Sequence, residues 1–161
     1  DLGARARAAY DPDGTATVAD LSRQVAMDAL MTEPARHVAR LFQAQGRKVW
    51  LYRFSYVADS MAKEWLIGAP HATDIPYFFN TVAAKYGDAL TPRDAQASKA
   101  AFRALVAYAK DGSPGTDWPA YEASKDGLMD FAADGSAGWI ADPRKTKLDI
   151  TAARAEKPPM N

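Results

Sequence analysis

The residues of this chain with the clearest chemical capacity are its two histidines, His37 and His71. The chain contains no cysteine, which excludes disulfide bonds and thiolate metal sites, and two histidines are too few for a histidine-rich metal centre. An unperturbed imidazole titrates near pH ~6.5, so histidine takes up and returns a proton near neutral pH. Proton transfer is therefore the chemistry that the sequence suggests first.

His71 lies in a loop rich in glycine and proline, whose sequence is Gly68-Ala69-Pro70-His71-Ala72-Thr73-Asp74-Ile75-Pro76-Tyr77-Phe78-Phe79. This loop is part of a connection over residues 58–90, and connections of that length are often functional. Taken alone, a histidine in such a loop is more often structural than catalytic. His37 stands beside Arg36 and Arg40 in a predicted helix, where we interpret it as part of a solvated face.

The strands that would position this loop predict an α/β fold. The segment Val49 to Val57 is β-branched, aromatic and largely apolar on both faces, as expected for a strand that is covered on both sides. Two short antiparallel strands, at 128–131 and 139–140, are predicted around a turn at Asp134-Gly135. The chain offers few partners for its first strand and therefore looks short of strands.

Two helices are predicted in tandem before the first strand. Thr17 caps the first helix with Asp20 three residues later, and Thr32 caps a second helix that ends at Gly46. Apolar residues at helical spacing predict the inner faces, which are Val18, Leu21, Val25 and Ala29 in the first helix and Val38, Leu41 and Phe42 in the second.

Two further helices follow the loop. Thr91-Pro92-Arg93-Asp94 predicts a helix start with a capping box, and Gly112 predicts its end. The expected inner face consists of Ser98, Phe102, Leu105, Val106 and Ala109. A last helix is predicted over residues 146–156, with Lys157-Pro158-Pro159 as its stop. Residues 1–16 are predicted to be an irregular lead-in, and residues 157–161 a tail.

The composition narrows the classes of partner. Apolar residues make up 48% of the chain, and 20 basic residues balance 20 acidic ones. A chain without net charge has no field that attracts phosphate backbones or anionic lipid, so neither nucleic acid nor a membrane surface is an expected partner. No apolar run reaches the roughly 20 residues of a membrane-spanning helix, so no transmembrane segment is predicted.

The His71 loop resembles the histidine loop of type-B carboxylesterases, the cholinesterase-like and para-nitrobenzyl esterase-like family of the α/β-hydrolase fold. The positions that match the family pattern are Gly68, Ala69, His71, Ile75, Pro76, Tyr77 and Phe79. Two positions depart from it, because Ala72 stands where the family usually has glycine and Asp74 where it has glutamate. The shorter acid could alter the hydrogen bonds that hold the loop.

The resemblance extends over residues 17 to 145, with several short motifs in the family's order. These motifs are Pro34-Ala35-Arg36 before an aromatic strand, Leu90-Thr91-Pro92, the turn Asp111-Gly112-Ser113-Pro114, and Trp118-Pro119-Ala120-Tyr121. We interpret Trp118 and Tyr121 as packing anchors. Several independent motifs in one order are a much stronger signal than a single short pattern.

The resemblance implies hydrolysis of small carboxylic esters through an acyl-serine intermediate, without metal or cofactor, and with His71 as the catalytic general acid and base. The serines before His71, which are Ser22, Ser55 and Ser60, lie outside any Gly-x-Ser-x-Gly elbow. The nucleophile and the acid are therefore expected upstream of residue 1. Residues 1–161 would then be the C-terminal segment of an α/β-hydrolase domain, with the upstream part of the same enzyme as its partner.

Individual roles also follow from the resemblance. Gly68 and Asp74 are expected to shape the loop, and Asp74 is expected to act as a hydrogen-bond acceptor instead of the triad acid. Tyr77 and Phe78, with Phe79, line an acyl pocket in one interpretation and pack in the core in the other. Trp65 and Leu66 are placed near the mouth of the site.

Two other functions stay open: a non-catalytic esterase-like interaction module, and a small α/β domain that folds alone and binds a partner. An isolated segment would expose an apolar patch where the missing sheet docks. The compartment is not fixed by the sequence, although esterases of this family are often secreted or periplasmic.

Overall fold

The computed structural model describes residues 1–155, which form two compact units. The first, here called the helical unit, comprises Asp1–Val49, Glu122–Asp126 and the described residues from Asp142 onward. The second, here called the sheet unit, comprises Trp50–Tyr121 and Gly127–Ala141. The predicted tail at 157–161 and the predicted helix stop within it lie outside the described residues.

Four helices build the helical unit: α1 Leu2–Tyr10, α2 Val18–Met27, α3 Glu33–Ala44 and α7 Lys145–Ala155. The prediction of an irregular lead-in is wrong for α1. The Asp1 side chain accepts a hydrogen bond from the Gly3 N–H at 3.1 Å and caps this helix. Four alanines and two arginines favour the helix by their propensity, and the buried Tyr10, whose hydroxyl donates to Asp28 at 2.7 Å, anchors its end without an apolar periodicity. Helix α7 confirms the last predicted helix.

The two tandem helices are one continuous run, because Asp28–Thr32 forms a π-helical segment between α2 and α3. Thr17 caps α2 as predicted, and its hydroxyl accepts from the Asp20 N–H at 3.1 Å. Thr32 does not cap α3, since its hydroxyl instead donates to the Met27 carbonyl at 3.5 Å. The predicted stop at Gly46 is confirmed by a left-handed φ of 72°.

The predicted inner face of α3 is wrong, and that of α2 is half right, because Leu21 and Val25 are half-buried whereas Val18 and Ala29 are exposed. In α3 the buried residues are Glu33, Arg36 and Ala39, whereas Val38, Leu41 and Phe42 are exposed. No residue of α2 is buried, and Val18 is among the most exposed apolar residues. The buried side of α3 is its ionic side, because Arg36 Nη1 reaches Asp126 and Asp149, each at 2.9 Å.

The sheet unit contains a three-stranded sheet in the order β1-β2-β3, with β1 Tyr52–Phe54, β2 Gly127–Phe131 and β3 Ala137–Ala141. Strand β1 runs parallel to β2, and β2 pairs with β3 in the predicted antiparallel hairpin. Strand β1 is shorter than the predicted 49–57, and Tyr52 is exposed. Among the described residues β1 pairs with β2 alone, and pairing on one side supports a shorter regular strand than pairing on both sides. The predicted α/β class is confirmed.

Helix α6, Pro92–Asp111, starts with the predicted capping box between Thr91 and Asp94 and ends at Gly112 with a φ of 66°. Its buried face is narrower than predicted, because Ala97, Ser98 and Ala101 are buried whereas Phe102 and Ala109 are exposed. Small residues suit this face because large aromatic rings fill the core beneath it. That core consists of Tyr56, Tyr77, Val82, Ala97, Ala101, Trp118, Met129 and Phe131.

Candidate active site

The connection between β1 and α6 contains several short helices. They are the 3₁₀ turns Asp59–Met61 and Gly87–Ala89 and the helices α4 Ile75–Phe78 and α5 Val82–Tyr86. The predicted long loop is therefore an ordered segment, of which the turns before α4 carry His71.

A buried carboxylate, Asp94, fixes the start of this connection. Its oxygens accept from the Tyr56 hydroxyl at 2.7 Å, the Asp59 N–H at 3.2 Å and the Thr91 N–H at 2.9 Å. Burial, followed by the hydrogen bond to Asp94, raises the pKa of Tyr56 above its ordinary value, so this hydroxyl stays a neutral donor. The sequence identified Asp94 only as a capping residue, because its bonds to Tyr56 and Asp59 join segments far apart in the chain.

His71 lies at the tip of the second of two consecutive tight turns. The first turn is closed by the Gly68 N–H and the Trp65 carbonyl at 3.2 Å, and the second by the Thr73 N–H and the Pro70 carbonyl at 3.3 Å. His71 is exposed and, within residues 1–155, its imidazole makes no hydrogen bond. The backbone of the turn is therefore what positions the imidazole.

Two positions in these turns have left-handed backbone conformations. Gly68 has a φ of 109°, which glycine tolerates because it lacks a Cβ atom. Ala72 has a φ of 64°, and this is the position at which the esterase pattern has glycine. A side chain in this region costs about 1–2 kcal/mol, so the turn holds His71 at some expense in stability.

Replacing Ala72 with glycine is expected to raise the free energy of unfolding by about 0.5–1 kcal/mol, since relief of the left-handed strain exceeds the added entropy of the unfolded chain. Urea unfolding of the two proteins measures this difference. The matched control is Ala69→Gly, because Ala69 has no positive φ. That variant should be less stable than wild type, and an equal gain from both substitutions would contradict the strain at Ala72.

Asp74 ties the loop to the sheet. The Tyr52 hydroxyl on β1 donates to Asp74 Oδ2 at 2.8 Å. Tyr52 is partly exposed, but its ring packs against Phe78 and Phe131, and this partial burial, then the hydrogen bond to Asp74, raises the pKa of Tyr52. Asp74 is thus engaged with Tyr52 and not with His71, and its role in shaping the loop stays a prediction.

Tyr77 and Phe78 pack in the interior of the sheet unit. Tyr77 is buried, and its ring centroid lies 5.0 Å from that of Phe54 and 5.5 Å from that of Tyr56. Phe78 packs on Phe131 at 5.2 Å. These contacts favour the packing interpretation, and direct contact of Tyr77 or Phe78 with substrate stays a prediction.

His37 is exposed on α3, which agrees with a solvated face, and the anchors Trp118 and Tyr121 are buried. Across residues 1–155, His, Asp and Glu side chains form no group of three that could hold a metal ion. In the same part of the chain, no helix has the length and apolar character needed to cross a membrane.

Solved esterases share this fold. The Geobacillus stearothermophilus carboxylesterase EST55 is 20% identical with a TM-score of 0.72, and the match covers 91% of this chain and 31% of that chain. A PNB esterase is 23% identical with a TM-score of 0.69, over 93% and 32% of the two chains. An esterase from Clostridium hathewayi that hydrolyses aliphatic aromatic polyesters is 18% identical with a TM-score of 0.66, over 92% and 28%.

These matches identify the architecture as part of a carboxylesterase-like α/β-hydrolase fold. The carboxylesterase family model matches residues 3–150, so the chain belongs to the carboxylesterase family. The chain spans about a third of the length of the solved esterases. No curated protein sequence matches the chain significantly.

Proposed function

We propose that this chain is the C-terminal segment of a serine carboxylesterase and that His71 is the catalytic histidine of that enzyme. The observation that carries the proposal is the position of His71, exposed at the tip of a turn inside the family's histidine pattern. The left-handed φ of Ala72, at the glycine position of the pattern, supports the same backbone turn. The order of the flanking motifs supports the C-terminal placement.

In the proposed reaction, a serine oxygen attacks the ester carbonyl while the His71 imidazole takes the serine proton. The imidazole then gives this proton to the oxygen of the departing alcohol, which leaves an acyl-serine. Water then attacks the acyl group while His71 takes a proton from it, and His71 returns this proton to the serine oxygen as the acyl–serine bond breaks and the carboxylic acid is released. No metal or cofactor takes part.

The serine nucleophile and the acid belong, in this proposal, to the upstream part of the enzyme. Ser55 is committed elsewhere, because its hydroxyl donates to Asp130 Oδ1 at 2.6 Å and accepts from Arg53 Nε at 2.9 Å. Ser22 and Ser60 are exposed and lie outside any nucleophile elbow. In this proposal the chain contributes the histidine of the triad, and the upstream part contributes the serine and the acid.

A non-catalytic, esterase-like interaction module is the second candidate. The exposed apolar residues Val38, Leu41 and Phe42 on α3 favour it, because contiguous apolar surface marks protein contacts. The same surface suits docking of the upstream part of an active enzyme.

Hydrolysis of a short-chain chromogenic ester separates these candidates. This chain alone is expected to be inert, and the chain joined to its upstream part is expected to be active. Activity of the chain alone would place a nucleophile within residues 1–161 and contradict the proposed division. An inactive intact protein with a serine elbow absent from its sequence would favour the interaction module.

A further inference from the structure

Exposed apolar side chains in the sheet unit concentrate around His71. The four most exposed large ones are Leu66 at 81%, Ile67 at 74%, Phe79 at 63% and Ile75 at 52%. All four lie within eight residues of His71 along the chain. A scattered exposed leucine needs no explanation, but such a concentration beside one candidate catalytic group does.

Leu66 and Ile67 occupy the tip of the first tight turn, as His71 and Ala72 occupy the tip of the second. Three residues, Gly68-Ala69-Pro70, separate the two tips, so the Ile67 and His71 Cα atoms are at most about 14 Å apart. An ester whose reacting bond lies at the imidazole is therefore within reach of the first turn.

The neighbouring charges do not favour a charged ligand. Lys63 and Glu64 stand just before the first turn, both exposed and of opposite sign. Asp74, after the second turn, accepts a hydrogen bond from Tyr52. Leu66 and Ile67, the two most exposed large apolar side chains between these groups, suit an apolar ligand.

We infer that Leu66 and Ile67 bind the alcohol part of the ester and select apolar alcohols. This inference rests on the proposed function, in which His71 gives its proton to the oxygen of the departing alcohol. The imidazole must then lie beside the alcohol and not beside the far end of the acyl chain. Side chains on the turn adjoining His71 consequently contact the alcohol.

Two ester series test the inference in the intact enzyme. One series varies the alcohol from ethyl to hexyl acetate, and the other varies the acid from ethyl acetate to ethyl hexanoate. In Leu66→Gln and Ile67→Gln, the preference for hexyl over ethyl acetate in kcat/KM is expected to fall about tenfold, with the preference in the acid series unchanged. The matched control is Leu30→Gln, which makes the same change at a leucine of similar exposure in the helical unit and should alter neither preference.

Each other result overturns the inference in a different way. An unchanged alcohol preference with a lower melting temperature means that Leu66 and Ile67 pack against another part of the enzyme. A change confined to the acid series assigns them to the acyl side. If the wild-type enzyme hydrolyses neither series, the proposed function itself fails, whereas hydrolysis with an unchanged alcohol preference overturns only the role of these two residues.

Discussion

His71→Ala in the intact enzyme is expected to lower kcat for ester hydrolysis by about 10⁴- to 10⁶-fold. The loss is this large because the imidazole acts in both half-reactions, as base for serine or water and as acid for the departing alcohol. The melting temperature should stay unchanged, since His71 is exposed and makes no hydrogen bond within residues 1–155. Steady-state kinetics on a chromogenic ester, together with thermal unfolding, measure the two effects.

The matched control for this prediction is His37→Ala, which removes the other histidine of the chain. His37 is exposed on α3, and its loss should change kcat less than about twofold if it belongs to a solvated face. Equal losses from both substitutions would point to a general structural effect. A loss below tenfold in His71→Ala would remove His71 from the reaction.

Most of the caps and turns that depend on a few neighbouring residues were predicted correctly, although the Thr32 cap is absent and the Asp1 cap was missed. The caps at Thr17 and Thr91, the helix ends at Gly46 and Gly112 and the hairpin turn through Gly135 are all present. Each is set by one backbone conformation or by a hydrogen bond between residues three apart, so the local sequence is sufficient.

Burial could not be predicted in the same way. The pattern on α3 placed Val38, Leu41 and Phe42 inside, but ion pairs from Arg36 to residues 90 and 113 positions away hold the opposite face in the interior. A helical pattern identifies an apolar face without identifying what covers it. In a chain that spans a third of its relatives' length, the cover for such a face need not lie within the chain.

The candidate site shows the same difference between features set by local sequence and features set by distant contacts. His71, Gly68 and Asp74 follow from the resemblance of one short segment. The buried acceptor Asp94 was missed because only the fold brings Tyr56 and Asp59 to its oxygens. The short pattern around His71 indicated the function, whereas the hydrogen bonds that hold the connection, such as those of Asp94, join residues far apart in the sequence.

Arg36→Met is expected to lower the free energy of unfolding by about 3–5 kcal/mol, the second largest effect that we predict. Arg36 and Asp126 are both 1% exposed at their side chains, and Arg36 Nη1 lies 2.9 Å from Asp126 Oδ2. Methionine fills much of the volume but leaves the Asp126 carboxylate in the interior with less compensating charge. Arg40, whose Nη2 also lies 2.9 Å from Asp126, retains part of the compensation and favours the lower end of this range.

The control is Arg23→Met, which breaks an arginine–aspartate pair of the same chemistry at the surface. Arg23 and Asp20 are each nearly half exposed, so the loss should be below about 1 kcal/mol. Urea unfolding monitored by circular dichroism gives both values, and a shift in midpoint at constant slope identifies a change in stability.

The buried-pair explanation requires that the double variant Arg36→Met/Asp126→Leu recover part of the lost stability, because replacing both charged residues leaves no uncompensated charge of this pair in the interior. If the double variant is instead as unstable as the sum of the single variants, Arg36 stabilises the helical unit through packing and not through its charge.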